Sequence, residues 1–354
     1  MKHQNYNILG VMSGTSLDGI DLCYITFVKN ESWEFKIHQT KTYKYSNYWN
    51  NKLKYLIGIT SAELKPLNIN YTNYLGEVIN TFIDESNLGH IDAICSHGHT
   101  ALHQPEADLT LQIGNLKHIA EIVKQTVVCD FRVQDVKLGG QGAPLVPIGD
   151  QLLFSDYDAC INLGGFSNIS KTINNQRIAY DICPVNIVLN HYVSALNLDY
   201  DHNGELASKG TINQDLLSEL NQLKFYKIEA PKSLGLEWVQ DKVFPIIDKF
   251  NLTTETILRT CVEHFAIQIA NNIDDDNKVL FTGGGVYNGF LMERIKTLSQ
   301  ANICIPDAKL IEFKEALIFG FLGVLKLRNE NNCLASVTGA KKDHSSGEIY
   351  TYKS

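Results

Sequence analysis

The stretch MSGTSLDGID at residues 12–21 decides the fold, because it interrupts two apolar runs with a turn rich in glycine and hydroxyl groups. The apolar runs cover residues 6–11 and 20–28, which predicts two strands joined by this turn. Glycine lets backbone N–H groups approach an anion closely, and hydroxyl groups donate to phosphate oxygens. A carboxylate there can hold a hydrated Mg²⁺ beside two phosphates. The same residue types also form ordinary turns, so both interpretations stay open at this point.

Length and composition favour a globular enzyme of two domains. The chain has 354 residues, of which 44% are hydrophobic and 20% charged. We place one domain at residues 1–130 plus about 325–354 and the other at residues 131–324. The net charge of -8 argues against a nucleic-acid-binding protein, which would present a basic face.

The cysteines and the apolar runs indicate a cytoplasmic protein. The eight cysteines are scattered and form no C-x-x-C pair, which argues against a zinc knuckle or a thioredoxin-type site and favours reduced thiols. The N-terminal residues lack an apolar export segment, and no apolar run approaches the roughly 18 residues of a membrane span. We therefore expect no membrane association.

Glycine-rich turns follow two further apolar strands. Residues 160–163 precede GGFSN at residues 164–168, which repeats the first strand–turn–strand pattern and suggests two similarly built domains. Residues 279–282 precede a triple glycine and a helix from about residue 288, which suits phosphate or ribose binding. Three such turns favour a nucleotide site. The P-loop, protein-kinase and dinucleotide-binding motifs are missing from the sequence.

Eight segments, in order along nearly the whole chain, resemble those of the anhydro-N-acetylmuramic acid kinase family in the actin, sugar-kinase and Hsp70 ATPase superfamily. They are MSGTSLDGID at 12–21, SHGHT at 96–100, DFRVQDV at 130–136, GGQGAPLVP at 139–147, NLGGFSNIS at 162–170, YDICPVN at 180–186, FTGGGVYN at 281–288 and EALIFGFLG at 315–323. The resemblance implies two actin-like (ribonuclease H-like) α/β domains with mixed β-sheets flanked by helices and with the nucleotide in the interdomain cleft.

The resemblance also implies an activity. Such a kinase uses ATP and Mg²⁺ to open 1,6-anhydro-N-acetylmuramic acid with water and phosphorylate O6, giving N-acetylmuramic acid 6-phosphate and ADP in peptidoglycan recycling and amino-sugar catabolism. A homodimer is a further expectation. The alternatives are a related-fold kinase for another sugar and a non-catalytic, Hsp70-like nucleotide-gated binding protein.

The resemblance assigns the nucleotide contacts to the three turns. The first two turns would hold the phosphates, with Asp18 reaching Mg²⁺ through water, and the third would hold the adenosine. The residues are Gly14, Thr15, Ser16, Leu17, Asp18 and Gly19 in the first turn, Gly164, Gly165, Ser167 and Asn168 in the second, and Gly283, Gly284, Gly285 and Asn288 in the third.

The reaction requires one general base, and Asp181 is the candidate. A carboxylate on the attacking water supplies base catalysis, whereas phosphoryl transfer needs mainly positioning and charge neutralisation. Asp181 follows a predicted strand and precedes Pro184, so the alternative is that it caps a helix starting there. Many relatives have glycine where this chain has Cys183 and Val185, so the backbone must avoid positive φ at these positions.

The sugar contacts are assigned to a smaller set of side chains. Arg132 is the candidate for the lactyl carboxylate, because Arg binds carboxylates in a bidentate manner; an ion pair with Asp130 or Asp135 is the alternative. Glu315 either bonds sugar hydroxyls or occupies the first turn of its helix, where acidic residues are favoured. Gln141, His97 and Asn186 complete the predicted sugar site.

Three nearby histidines could form a metal site or line the sugar pocket. His97, His99 and His103 have no carboxylate at a suitable spacing, and Gly98 indicates a turn. We therefore expect them to line the sugar pocket.

Overall fold

The computed structural model describes residues 4–14, 17–56 and 59–352, with the side chain of residue 61 also left undescribed. It divides into two compact units. Unit 1 comprises Met1–Leu153 and Phe313–Ser354, and unit 2 comprises Phe154–Glu312. The predicted nucleotide contacts Thr15 and Ser16 lie outside the described residues.

The chain combines strands and helices throughout. The strands are β1 (Asn5–Met12), β2 (Ile20–Lys29), β3 (Trp33–Tyr43), β4 (Ala93–Ser96), β5 (His99–Gln104), β6 (Leu109–Ile113), β7 (Val127–Cys129), β8 (Ala159–Leu163), β9 (Phe166–Ile173), β10 (Gln176–Pro184), β11 (Lys278–Thr282), β12 (Asn302–Cys304) and β13 (Glu348–Tyr350). The helices are α1 (Asn47–Lys54), α2 (Ser61–Glu85), α3 (Ile119–Val123), α4 (Val133–Lys137), α5 (Val146–Leu153), α6 (Asn186–Val193), α7 (Glu205–Lys209), α8 (Gln214–Asn221), α9 (Leu236–Trp238), α10 (Phe244–Asp248), α11 (Thr254–Ala270), α12 (Gly289–Leu298), α13 (Ala308–Leu327) and α14 (Ala335–Thr338).

The main sheet of unit 1 has the order β13-β7-β4-β1-β2-β3. Strands β1, β2 and β3 are antiparallel neighbours, and β4 and β7 run parallel to β1. Met12 pairs with Asp21 at the end of the β1–β2 ladder, so the glycine-rich stretch is the hairpin loop that the sequence predicts. Strands β5 and β6 form a separate two-stranded sheet.

Unit 2 repeats this strand order. Its sheet is β10-β9-β8-β11-β12, in which β8, β9 and β10 are antiparallel neighbours and β11 and β12 run parallel to β8. Both units therefore contain an antiparallel three-stranded meander. On its other side, the first strand of the meander is next to two strands that run parallel to it, which is the strand order of the actin-like fold. This confirms the expected α/β class with mixed sheets in two similarly built domains.

Small residues bring helix α13 close to the sheet of unit 1. A Cβ atom at Gly10 would lie 2.1 Å from the Ala316 carbonyl oxygen, and one at Gly323 would lie 2.0 Å from the Cys95 sulfur. A Cβ atom at Gly320 would lie 3.6 Å from the Cα atom of Gly10. These small residues therefore allow close packing of α13 on the sheet.

The division into units differs from the boundaries that we set from the sequence. Residues 131–153 and 313–324 belong to unit 1, whereas the sequence placed them in the second domain. The reason is packing: Gly149 of α5 contacts Ile318 of α13, and α13 in turn lies against β1 and β4. The glycine-rich segment at residues 139–144 therefore lies within unit 1 and does not separate the units.

Two further bulk expectations can be compared with the structure. The eight cysteines are thiols, and all except Cys304 are buried. Among the described residues, the helices are too short or too polar for one to cross a membrane.

Candidate nucleotide and sugar sites

The hairpin loop of unit 1 has positions of restricted backbone conformation next to a solvent-exposed side chain. Gly19 has φ +153°, and a Cβ there would lie 2.5 Å from the Tyr43 carbonyl oxygen, so close packing on β3 requires glycine. Leu17 has φ +62°, which is uncommon for a residue with a side chain. Asp18 is exposed and Gly14 is half-buried. A ligand can therefore reach the Asp18 carboxylate.

The two glycine-rich turns of unit 2 leave the same edge of one sheet. Strands β8 and β11 are parallel neighbours, with Asn162 opposite Thr282, so the turns that follow them come together. Gly283 has φ +84°, and a Cβ there would lie 2.6 Å from Asn162 Oδ1. Gly284 has no atom within 4 Å of such a Cβ, and Gly165 has only one, at 3.9 Å. The backbone at both positions is open to an approaching ligand.

Polar side chains near these turns differ in how they are used. Ser167 is fully buried, and its Oγ has no hydrogen-bond partner within the described part of the chain. Asn168 lies opposite Asp181 in the β9–β10 pairing. Asn288 Oδ1 accepts a hydrogen bond from the Leu291 N–H at 3.0 Å and so caps α12. The buried Ser167 hydroxyl is therefore a hydrogen-bond donor that remains available to a ligand.

Asp181 occupies an irregular position of β10. Asp181 pairs with Asn168, and the register shifts between Asp181 and Cys183, which places a bulge directly after Asp181. Its Oδ2 accepts a hydrogen bond from the Leu234 N–H at 2.8 Å. Burial raises the pKa of Asp181, and the Leu234 hydrogen bond opposes that rise. The helix-cap alternative is wrong, because the residue at the start of α6 is Val185 and it makes no side-chain cap.

The segment after Asp181 is joined to the second glycine-rich turn. The Val185 and Ile187 N–H groups donate to the Gly165 carbonyl, and the Asn186 N–H donates to the Gly164 carbonyl. Val185 has φ -133°, and Cys183 is not among the residues of positive φ. The substituted positions thus avoid positive φ, as we predicted from the sequence. The first amides of α6 are occupied by the turn.

Arg132 and His97 form a buried hydrogen-bonded pair in unit 1. Arg132 Nε donates to His97 Nε2 at 2.8 Å, and Arg132 Nη1 donates to the Gly142 carbonyl at 2.7 Å. Burial, together with the Arg132 charge, holds the pKa of His97 well below its usual value. The ring is therefore neutral. Within the described ranges, Arg132 makes no ion pair with Asp130 or Asp135, so that alternative is not supported; Asp135 instead accepts from the Gly142 N–H at 2.7 Å.

Glu315 lies in the third turn of α13, which begins at Ala308. The helix start is instead supported by Asp307, whose Oδ1 accepts from the Leu310 N–H, so the first-turn alternative for Glu315 is wrong. The Glu315 side chain is exposed, yet the surrounding protein raises its pKa, and the Arg132 charge opposes that rise. Glu315 and Arg132 therefore interact electrostatically.

The remaining predicted sugar residues occupy different positions. Gln141 is exposed, and its N–H donates to the Thr338 carbonyl. Asn186 is half-buried at the first position of α6 in unit 2. His97 and Gly98 lie between β4 and β5, and Gly98 has φ +72°, which confirms the predicted turn.

The three histidines do not form a metal-binding group among the described residues. His97 accepts from Arg132, and His103 Nδ1 hydrogen bonds with Thr110 Oγ1 at 3.1 Å. His99 is buried, and burial lowers its pKa to about 4.

Two contacts of this region escaped the sequence reasoning. The backbone at residues 232–234 brackets Asp181, since the Asp181 N–H donates to the Lys232 carbonyl and Leu234 donates to its carboxylate. Pro231 and Gly235 flank this segment, and they are the sequence signal for a break in the chain next to it. Asp130, held by the Asn115 Nδ2 at 3.1 Å, was weighed only as an ion-pair partner.

Two units of one strand order, each with a glycine-rich loop after its first strand, define a protein of the actin-like class that includes sugar kinases. A sequence model described as anhydro-N-acetylmuramic acid kinase matches residues 6–352. An anhydro-N-acetylmuramic acid kinase of Haemophilus influenzae is 32% identical over 99% of this chain and 98% of its own. One from Actinobacillus pleuropneumoniae serotype 3 is 34% identical over 97% and 98%. This chain belongs to the anhydro-N-acetylmuramic acid kinase family.

Solved structures resemble the chain at lower identity. Component A of the (R)-2-hydroxyglutaryl-CoA dehydratase of Acidaminococcus fermentans aligns over 89% of this chain and 95% of its own, with 12% identity and a TM-score of 0.46.

Proposed function

We propose that this protein is an ATP-dependent kinase that opens 1,6-anhydro-N-acetylmuramic acid with water and phosphorylates O6. The products are N-acetylmuramic acid 6-phosphate and ADP, and the role is peptidoglycan recycling and amino-sugar catabolism. Family membership over nearly the whole chain supports the substrate and the reaction. The observation that carries the proposal is the environment of Asp181, a half-buried carboxylate beside a bulge, with one oxygen held by the Leu234 N–H.

Asp181 acts as the general base in this proposal. Its Oδ2 is fixed by the Leu234 N–H, so Oδ1 is left to accept a proton from the water that attacks the anomeric carbon. The bond from this carbon to the bridging oxygen breaks, and that oxygen becomes the O6 that receives the phosphoryl group. A carboxylate of raised pKa is a better base than an ordinary one while it remains ionised at neutral pH.

Arg132 is the proposed contact for the lactyl carboxylate of the sugar. Two of its nitrogens, Nε and Nη1, are directed by His97 and by the Gly142 carbonyl, so the guanidinium has a fixed orientation and Nη2 remains for the ligand. The exposed Glu315 carboxylate is the proposed acceptor for sugar hydroxyls. Gln141 and Asn186 are also assigned to the sugar, and the contacts that they make within the chain come from their backbone N–H groups.

The glycine-rich turns are the proposed nucleotide contacts. Gly165 and Gly284 leave the backbone accessible, and the buried Ser167 hydroxyl is an unused donor, which together fit an anionic ligand. The exposed Asp18 carboxylate fits Mg²⁺, held through water, since hard cations take oxygen ligands. When bound, Mg²⁺ neutralises charge on the transferred phosphoryl group. We also propose a cytoplasmic location, and a homodimer that sedimentation velocity would test.

The assignment is tested by following ADP release from ATP and Mg²⁺ in parallel reactions. One contains 1,6-anhydro-N-acetylmuramic acid, one contains the anhydro sugar without the lactyl group, and one contains no sugar. We expect release with the first sugar and a product whose mass exceeds that of the substrate by one phosphoryl group (HPO₃) and one water. Equal or greater turnover with the sugar lacking the lactyl group would instead indicate another substrate, and sugar-independent turnover would indicate a nucleotide-gated binding protein.

A further inference from the structure

Three metal-ligating side chains meet inside unit 1, next to the glycine-rich loop whose Gly142 N–H donates to Asp135. Asp135, Cys333 and His344 are 0%, 1% and 4% exposed. One carboxylate oxygen, the sulfur and one imidazole nitrogen all lie within 4.8 Å of one another. We name these three residues the DCH cluster. The proposed kinase reaction makes no use of it.

Backbone pairing fixes the arrangement of the cluster. Cys333 and His344 face each other in an isolated antiparallel bridge, in which each N–H donates to the other's carbonyl at 3.1 and 3.2 Å. This pairing places their side chains next to each other. Asp135 comes from α4 and is held from two sides, because Oδ1 accepts from Thr338 Oγ1 and Oδ2 accepts from the Gly142 N–H.

The imidazole of His344 directs an unused nitrogen into the cluster. Nδ1 lies 3.0 Å from the Lys342 carbonyl, which can only accept, so Nδ1 carries the proton in the neutral ring and Nε2 has a lone pair. Nε2 is buried, has no hydrogen-bond partner among the described residues, and lies 3.6 Å from Asp135 Oδ1. In this tautomer a lone pair faces a carboxylate oxygen, and the repulsion is relieved either by a second ring proton or by a metal ion bound to both atoms.

We propose that the DCH cluster is a structural zinc site in which Asp135, Cys333 and His344 each supply one ligand. Carboxylate oxygen, imidazole nitrogen and thiolate sulfur are the three donor types that Zn²⁺ takes in proteins, whereas Mg²⁺ and Ca²⁺ avoid sulfur. On binding, the S–H bond of Cys333 breaks, its proton passes to solvent, and the electron pair forms the Zn–S bond. A water completes the tetrahedral set.

The site would tie three segments of unit 1 together. It joins the bridge formed by Cys333 and His344 to helix α4, and Asp135 holds the N–H of Gly142, whose carbonyl accepts from Arg132. Zinc binding is therefore expected to stabilise the folded chain and to raise its free energy of unfolding.

The test is the zinc content of the full chain, produced in zinc-supplemented medium, dialysed against metal-free buffer and measured by elemental mass spectrometry. We expect one zinc per chain. Cys333→Ser and His344→Gln should each weaken zinc binding at least about 100-fold, measured by competition with a chromophoric chelator. Cys304→Ser is the matched control, because that thiol lies in unit 2 and is half-buried, and zinc binding should be unchanged.

Two readouts keep the proposal testable if a variant folds poorly. With Co²⁺ in place of zinc, the wild-type chain should show a thiolate-to-cobalt charge-transfer band, and the melting temperature should rise with added zinc. Absence of zinc from the purified wild-type chain, together with no cobalt band after refolding in Co²⁺, would overturn the proposal. So would a wild-type zinc affinity that Cys333→Ser and His344→Gln leave unchanged.

Discussion

The hydrogen bond from Arg132 Nε to His97 Nε2, 2.8 Å long, fixes which nitrogen of the His97 ring carries the proton. Because an Arg Nε–H can only donate, Nε2 must be the unprotonated nitrogen, and Nδ1 then donates to the Gly98 carbonyl at 2.8 Å. His97 is thus a neutral acceptor that orients a cation. It is unsuited to serve as a general acid or base near neutral pH, which leaves that role to a carboxylate.

We expect Asp181→Asn to lower kcat by about 10²–10⁴-fold, because the amide keeps the size of the side chain but cannot take a proton from water. ADP release under saturating ATP and anhydro sugar measures this loss. In the wild-type enzyme, kcat should fall as pH decreases through the raised pKa of Asp181, above the range of an ordinary aspartate. Asp276→Asn, in an exposed loop, serves as control. Turnover of the Asp181→Asn variant near the wild-type level would show that the base lies elsewhere.

Arg132→Lys should raise KM for the anhydro sugar by about 10- to 100-fold, the range expected for losing a charge-assisted hydrogen bond of about 1.5–3 kcal/mol. Lys keeps the charge but cannot reproduce the planar fork that His97 and Gly142 orient. Steady-state kinetics with and without the lactyl group on the sugar separates the two effects. An equal rise in KM for both sugars would contradict an Arg132 contact to the lactyl carboxylate.

Gly284→Ala and Gly283→Ala should have different effects. Gly283 has φ +84° and close neighbours, so Ala there should lower stability, measured by thermal unfolding. Gly284 has open space at its Cβ position, so Ala should leave the melting temperature unchanged. If a nucleotide approaches this backbone, KM for ATP should nevertheless rise in Gly284→Ala. An unchanged KM for ATP would remove Gly284 from the nucleotide site.

Asp130→Asn should stabilise the protein at neutral pH. Burial raises the pKa of Asp130 to about 6 from 3.8, so the folded state binds the proton more tightly than the unfolded state. The protonated Asp130 carboxyl therefore contributes its full stabilisation of the folded state below pH 3.8, and this contribution is lost as pH rises through about 6. We expect a gain of about 3 kcal/mol above pH 7, since Asn needs no proton and tolerates the φ of +56°. Unfolding curves from pH 4 to 8 measure it, and a parallel pH dependence in both proteins would contradict it.

Gly323→Ala should lower the free energy of unfolding by about 1–3 kcal/mol, because the added methyl would lie 2.0 Å from the Cys95 sulfur. Gly89→Ala is the control, since its Cβ position is open. The double variant Gly323→Ala, Cys95→Ala should recover part of the loss, and denaturant unfolding of all four proteins gives the coupling. Additive effects of the two substitutions would rule out this contact as the cause.

The sequence predicted the sheets better than the boundaries between the units. Apolar runs interrupted by glycine-rich turns located β1–β2, β8–β9 and β11, because these patterns are local. The assignment of residues 131–153 and 313–324 failed because it depends on α5 and α13 packing against a sheet formed elsewhere in the chain. The only local sequence signal of such packing is the presence of small residues at the contact positions.

Side-chain partners within the candidate sites were only partly predictable. Residue types pointed to Asp181 and Arg132, and the family resemblance gave their roles. The donors that orient them, Leu234 N–H for Asp181 and the pairing of Arg132 with His97, come from distant segments and depend on tertiary structure. The two rejected alternatives, a cap by Asp181 and a first-turn position of Glu315, failed because both helices begin elsewhere. Helix boundaries are among the weakest features of sequence-based prediction.

The contact between Gly10 and the carbonyl of Ala316 bears on catalysis at a distance. Ala316 follows Glu315 directly, so the depth at which β1 accepts α13 also determines where the Glu315 carboxylate lies. Any side chain at position 10 would push the helix outward and carry that carboxylate with it. A buried glycine thereby sets the position of the Glu315 carboxylate, and because we propose that Glu315 binds sugar hydroxyls, substitutions at Gly10 should alter sugar recognition in enzyme assays.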